Sequence, residues 1–227
     1  MRLVLGARLG AVLIGLAALS ACRRSGEVAV VSQILAAPDD GQASRFSRRV
    51  IRGEHLHARP PEQIALRLVP GILVRLADDA ELVVGDCRLG KDGEDTDDRM
   101  EKRSARCSLL NGSACFLLSS RSGRGEIEVN LPESRSLHAH GETLFTVKEA
   151  GAECLVTCVR GTIEVQMLGS GEPLQINGGY FCQLDARGAT WGAATENATA
   201  QQAIVNCLSA QTILERLSAS VFAGPLL

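Results

Sequence analysis

The segment from His138 to Gln166 reads HAHGETLFTVKEAGAECLVTCVRGTIEVQ and concentrates side chains capable of chemistry. His138 and His140 stand two apart, and Glu142 follows at the same interval. Alternate residues of a strand face one way, so two imidazoles and a carboxylate spaced like this can address one ion. His138, His140 and Glu142 are therefore the metal candidates, set against the plainer reading of solvated histidines beside a turn. Cys154 and Cys158 also share a face if extended, but lie about 13 Å apart at strand rise. A disulfide needs Cα atoms within about 7 Å. They are expected to fill the core or to pair with cysteines on other strands, and no C-x-x-C accompanies them.

The wider chain adds little catalytic machinery. A cupin-like metalloenzyme places a histidine pair on a β-barrel, with an acid further along and a later histidine. Here Glu142 arrives early, and the remaining histidines, His55 and His57, precede the pair. No Ser-His-Asp order, nucleophile elbow or phosphate-cradling glycine loop is present, and GSGEP and NGG read as turns. The expectation is a protein with no catalytic residues, no bound metal and no cofactor beyond covalent lipid.

That lipid is predicted by the N-terminus, MRLVLGARLGAVLIGLAALSACRRSG. Arg2 and Arg8 precede an apolar run over 9–19 that is short for a membrane span. Leu19-Ser20-Ala21-Cys22 then resembles a bacterial lipobox. The resemblance implies cleavage before Cys22, a diacylglyceryl thioether on its sulfur and acylation of its new amine. Several acyl chains on one residue anchor stably where one is marginal. With Arg rather than Asp at position 23, the outer membrane facing the periplasm is the favoured address.

Removing residues 1–21 deletes two arginines and no acid from 24 basic and 26 acidic residues, leaving a net charge of −4. A nucleic-acid partner would require a concentrated basic face. The run KDGEDTDDRMEKR at 91–103 reads as a solvated loop, since its spacing does not match an EF-hand calcium loop. Aromatics make up 3% of the chain, too few for a stacking platform. Once Cys22 is lipidated, Cys87, Cys107, Cys115, Cys154, Cys158, Cys182 and Cys207 remain as possible disulfide cysteines. In an oxidising compartment some should pair, and the odd count leaves at least one over.

Short strands must position these groups. Ile64, Leu66 and Leu68 alternate before Pro70-Gly71, and Ile72, Val74 and Leu76 alternate after it, predicting a hairpin or a corner and then a third strand through Leu82 and Val84. Asn111-Gly112 predicts a second hairpin, because both residues tolerate positive φ. Ile127, Val129 and Leu131 alternate with Glu126, Glu128 and Asn130. Further turns are expected at Gly151 and Gly161, and a last strand pair about Gly178-Gly179. Turns every 8–12 residues or so mark a sandwich, barrel or solenoid. From about Thr199 the pattern changes: Ile204, Cys207, Leu208, Leu214, Leu217 and Val221 recur near helical spacing, predicting an amphipathic helix packed on the β-domain.

Taken in order, RGEHLHARP, IALRLVPGILVRLADDAELVV, CSLLNGSACFLLSS, the run from Ile127 to Gln166 and PLQINGGYFCQL resemble the FecR periplasmic domain over roughly 27–185. Within the family core, VTCVRGTIEVQ matches the valine-x-valine-x-x-glycine-x-valine-x-valine run. The resemblance implies an all-β, solenoid-like stack of short strands in two twisted sheets. Founding members are periplasmic parts of transmembrane regulators that carry a cytoplasmic anti-sigma region and a C-terminal module. This sequence departs at both ends, so what carries over is the domain and a protein-protein role. The expected organisation is a signal peptide at 1–21, a lipidated linker at 22–26, a FecR-like domain at 27–190 and a linker with the helix at 191–227. The expected function is a lipid-anchored envelope protein that binds or scaffolds an unknown envelope partner. The alternatives are a signal-transduction regulator acting through a separate membrane protein, and the cupin-like metalloenzyme.

Overall fold

The computed structural model describes residues 28–29, 32–36, 47–90, 102–119, 125–167 and 172–222. The expected signal peptide, Cys22 and the expected linker lie outside the described residues, as does 91–101 of the charged run. Lys102 and Arg103, expected in that loop, begin a strand instead.

Fifteen strands precede one helix among the described residues. They are β1 (Val28–Ala29), β2 (Ser32–Ala36), β3 (Ser47–Val50), β4 (His55–Ala58), β5 (Ile64–Val69), β6 (Ile72–Gly90), β7 (Lys102–Leu118), β8 (Gly125–Leu131), β9 (Arg135–His140) and β10 (Thr143–Ala150). There follow β11 (Glu153–Arg160), β12 (Thr162–Gln166), β13 (Leu174–Asn177), β14 (Tyr180–Asp185) and β15 (Gly188–Ala193). A short 3-10 turn, Ala194–Glu196, leads into α1 (Ala198–Phe222). The last strand thus runs to Ala193, past the expected boundary at 190.

The spine is the antiparallel pair β6–β7. Of the hairpin and corner expected at Pro70-Gly71, the hairpin forms, joining β5 to β6 with Gly71 at φ 86°. The expected third strand is not separate: β6 continues through it for 19 residues. The Asn111-Gly112 hairpin is also not found, for Gly112 lies inside the 17-residue β7. Of the two residues, Gly112 has positive φ, 81°, and Asn111 does not; Asp78 and Asp79 on the facing strand have φ 55° and 61°. The two strands bend together instead of reversing, and their register slips between Ala77 and Glu81. A Cβ at Gly112 would sit 2.3 Å from the Ala80 Cα, so the bend brings two backbones too close for a side chain.

This bend divides the spine between two layers. Residues 103–108 of β7 pair in parallel with β8, and 112–118 pair antiparallel with β10. Successive hairpins then alternate. β8–β9 lies in the first layer, β10–β11 in the second, β12–β13 in the first again, and β14–β15 in the second. Gly141, Gly161 and Gly178-Gly179 are therefore corners between layers. The strand pair expected about Gly178-Gly179 is not a ladder, since β13 pairs with β12 while β14 pairs with β11. Adjacent corners bond each other: the Gly178 N–H donates to the Gly161 carbonyl at 2.9 Å.

Period-two alternation supplies both inner faces. Ile127, Val129, Leu137, Ile163 and Val165 meet Val147, Val156 and Leu184 in one core. Phe116 and Phe145 stack within it, centroids 4.8 Å apart and planes 13° apart, on directly opposed positions of β7 and β10. The helix covers the outer face of the second layer. Its Cys207, Ala210 and Leu214 pack on Ala65, Leu73, Cys115, Leu117 and Leu144. Asn197 Oδ1 accepts the Ala200 N–H at 3.0 Å and caps its first turn. The result is the expected all-β class with a C-terminal helix. The sheet is open, with β13 and β15 ending its main path.

Candidate functional site

His138 and His140 both project from the exposed face of β9, as their spacing predicted. Across neighbouring strands they join a polar array. One row runs Arg106, Glu128, His138, Glu164; the next runs Ser104, Glu126, His140. These rows line a groove of about 570 Å³. Arg106 closes on Glu128, its Nη2 lying 2.6 Å from the carboxylate, and Ser136 Oγ lies 3.3 Å from His138 Nε2.

Glu142 does not join them. It sits at the Gly141 corner, with its carboxylate 3.3 Å from the Arg160 guanidinium. His55 and His57 engage the spine, meeting Glu81 at 3.0 Å and Asp79 at 2.8 Å. Among the described residues no group of three or more His, Cys, Asp or Glu side chains converges as a metal would need.

All seven described cysteines are buried free thiols. Cys154 and Cys158 face the core from β11 and do not face each other. Burial pushes Cys158 up to about 12 and Cys182 up to about 11. It raises Cys87, Cys107 and Cys154 as well, with the Glu149 carboxylate adding to the rise at Cys154. Thiols held protonated in this way are poor nucleophiles. Cys115 and Cys207 meet at the helix–sheet junction, their sulfurs 2.6 Å apart.

A second feature was not visible as a site in the sequence. β15 pairs with β14 and, among the described residues, with no other strand. Its sequence, GATWGA, carries no charge, and its first four residues are exposed. Trp191, the chain's one tryptophan, is 63% exposed. Tyr180, the one tyrosine, is 42% exposed and sits diagonally across on β14, because Trp191 opposes Cys182 and Ala193 opposes Tyr180. The two aromatic rings thus belong to one face at the sheet margin. The β3 margin differs, presenting Arg48 and Arg49. Charged residues on an edge discourage added strands, and their absence from β15 leaves its backbone groups open to pairing. Among the described residues no helix is long and apolar enough to cross a membrane.

No family model matches the chain, and no curated protein matches it. Among solved structures it is similar to two crystal structures of a candidate anti-sigma factor from Parabacteroides distasonis. One is 17% identical with a TM-score of 0.38 over 63% of this chain, and the other 14% identical with a TM-score of 0.39 over 71%. The matched regions span 57% and 60% of those chains.

Proposed function

We propose that this is a non-enzymatic envelope protein, tethered to a membrane by lipid on Cys22, whose FecR-like β-domain docks a protein partner along β15. The observation that carries the reading is the uncharged margin strand with Trp191 and Tyr180 at its rim. An added strand gains main-chain hydrogen bonds along such an edge, and side-chain pockets supply specificity. Exposed tryptophan and tyrosine are the residue types that most often anchor an interface. The N-terminal pattern supports the tether, which would hold this margin close to other envelope proteins.

Photo-crosslinking in intact cells tests the docking. A photoreactive residue replacing Thr190 in the full-length chain is expected to give a discrete protein adduct, and one replacing Arg49 on β3 is expected to give none. Trp191→Ala in the Thr190 variant should remove the adduct. Equal adducts from both positions, or none from Thr190, would overturn the assignment. Recovery of a membrane-spanning signalling protein in the adduct would favour the regulator over a passive scaffold.

A further inference from the structure

We infer that Cys115 and Cys207, thiols in this structure, oxidise to a disulfide that staples the C-terminal helix to the sheet. Cys115 lies on β7 and Cys207 on α1, 92 residues apart in sequence, and their sulfurs approach to 2.6 Å. Heavy atoms in an ordinary non-bonded contact rest about 3.5 Å or more apart, and a disulfide spans about 2.05 Å. The pair needs only a small closing movement to bond. Other strand pairs that carry two cysteines are out of register. Cys107 stands opposite Val84 while Cys87 faces Ala105, and Cys154 stands opposite Leu184 while Cys182 faces Val156.

The bond would add a covalent tie to the seat that Ala200, Ile204, Ala210 and Leu214 already give the helix. Cys207 is central to the helix's buried face, between Ile204 and Leu214, and Val205 and Leu208 on the outer side are exposed. Ala210 and Leu214 share the Cys207 cluster, and Ala200 and Ile204 pack against Phe181 one turn and more towards the helix start. Cys115 and Cys207 both line a groove of about 300 Å³, bordered by Gln63, Arg75, Ser113 and Thr146. Both are buried once the helix has docked, so an oxidant reaches the pair before docking or on transient opening.

The chemistry is thiol–disulfide exchange with a disulfide oxidant. One thiolate attacks a sulfur of the oxidant and releases one of its halves as a thiol. The second thiolate attacks the resulting mixed disulfide and releases the other half. Two protein thiols and one external disulfide become one protein disulfide and two external thiols, so atoms and electrons balance. In cells the step rests on the envelope location proposed above, where such oxidants persist. The chemistry itself does not depend on that location.

Two measurements separate these points. Purified, reduced full-length protein is equilibrated with oxidised glutathione, denatured and labelled with maleimide-polyethylene glycol. The oxidised protein is expected to take two fewer labels than the reduced one, and peptide mapping to recover Cys115 linked to Cys207. Cys115→Ser and Cys207→Ser should each abolish the two-label difference. Unlinked Cys115 and Cys207, or a different linked pair, would overturn the inference, and the wild-type map decides this even if a variant fails to fold. The same labelling is then applied to protein trapped with acid from cells. The linked pair there supports both the staple and the compartment. Reduced thiols in cells, with the pair formed in vitro, would leave the staple standing and overturn the envelope assignment.

Discussion

Arg135 and Glu149 face each other within the protein interior, the guanidinium Nη2 lying 3.4 Å from both carboxylate oxygens. Arg135 opens β9 of the first layer and Glu149 lies near the end of β10 of the second, so the pair ties the layers together at the strand ends away from the Gly141 corner. Arg135 Nε also donates to the Pro132 carbonyl at 3.0 Å. Burial raises the Glu149 carboxyl above its ordinary value, and Arg135 pulls it back. Because the net shift is upward, the folded chain holds this proton more tightly than the unfolded chain. The stability this contributes is complete below the unfolded value and is lost as pH rises through the folded one. Removing the arginine leaves a buried charge uncompensated, which typically costs about 3–5 kcal/mol. Arg135→Met is therefore expected to destabilise by about that much at pH 8 and by less at pH 5, because losing the arginine's pull raises the Glu149 carboxyl further and favours its neutral form. Urea unfolding at the two pH values checks this, and equal losses at both would assign the effect to packing.

Gly112 and Gly151 provide a matched comparison. Both have positive φ, 81° and 71°, but a Cβ at Gly151 meets nothing within 4 Å. Gly151→Ala is expected to cost the conformational term alone, about 1 kcal/mol. Gly112→Ala adds the clash with the Ala80 backbone, for a total of about 3 kcal/mol or more. Denaturation midpoints of the two variants measure the difference.

The stacked phenylalanines sit at the centre of the core. Phe145→Ala should destabilise by about 3–5 kcal/mol through lost burial and the cavity left behind. A double-mutant cycle with Phe116→Ala should return a coupling of about 0.5–1.5 kcal/mol for the ring pair. Additive losses would mean the two rings share a core without interacting.

Trp191→Ala is expected to change stability by less than about 0.5 kcal/mol, because the ring is mostly in solvent. As the chain's one tryptophan, it also reports directly on its surroundings. Its emission should be that of a hydrated indole in the isolated protein and should shift to the blue when a partner covers β15. Emission unchanged by a bound partner would place the interface elsewhere.

Cys22→Ala should abolish incorporation of labelled fatty acid and move the protein out of the membrane fraction. Lipid label retained by the variant would remove the tether from the proposed function.

How far these features were legible depends on the range of the interaction that sets them. The alternation of Ile127, Val129 and Leu131 against Glu126 and Glu128 is local, and β8 follows it. Pro70-Gly71 carries its own turn chemistry and forms a hairpin. Asn111-Gly112 carries an equally strong local signal, yet positive φ specifies a bend and not a reversal. The partner strand decides which, and its own positive-φ pair, Asp78-Asp79, lies more than thirty residues upstream. The same limit hid the layer changes at Gly161 and Gly178, which look like hairpin turns until the pairing of β11 with β14 is known. His138 and His140 share a face as their spacing requires, but Glu128 and Glu164 reach that face through cross-strand register, which a single segment does not encode. The Cys115–Cys207 encounter depends on where a helix lands, and the edge character of β15 depends on which strands stop.

The alternating hairpins also bear on size. A closed barrel fixes its strand count, because its circumference must meet itself. Here each hairpin rests on the rungs beside it and asks nothing of distant ones. Such a ladder lengthens or shortens by whole rungs, the new pair meeting the same kind of surface as the old. Gene duplication and deletion can therefore vary its reach without reinventing its interior, and an engineered extra rung after β13 should be accepted more readily than one forced into the bent spine.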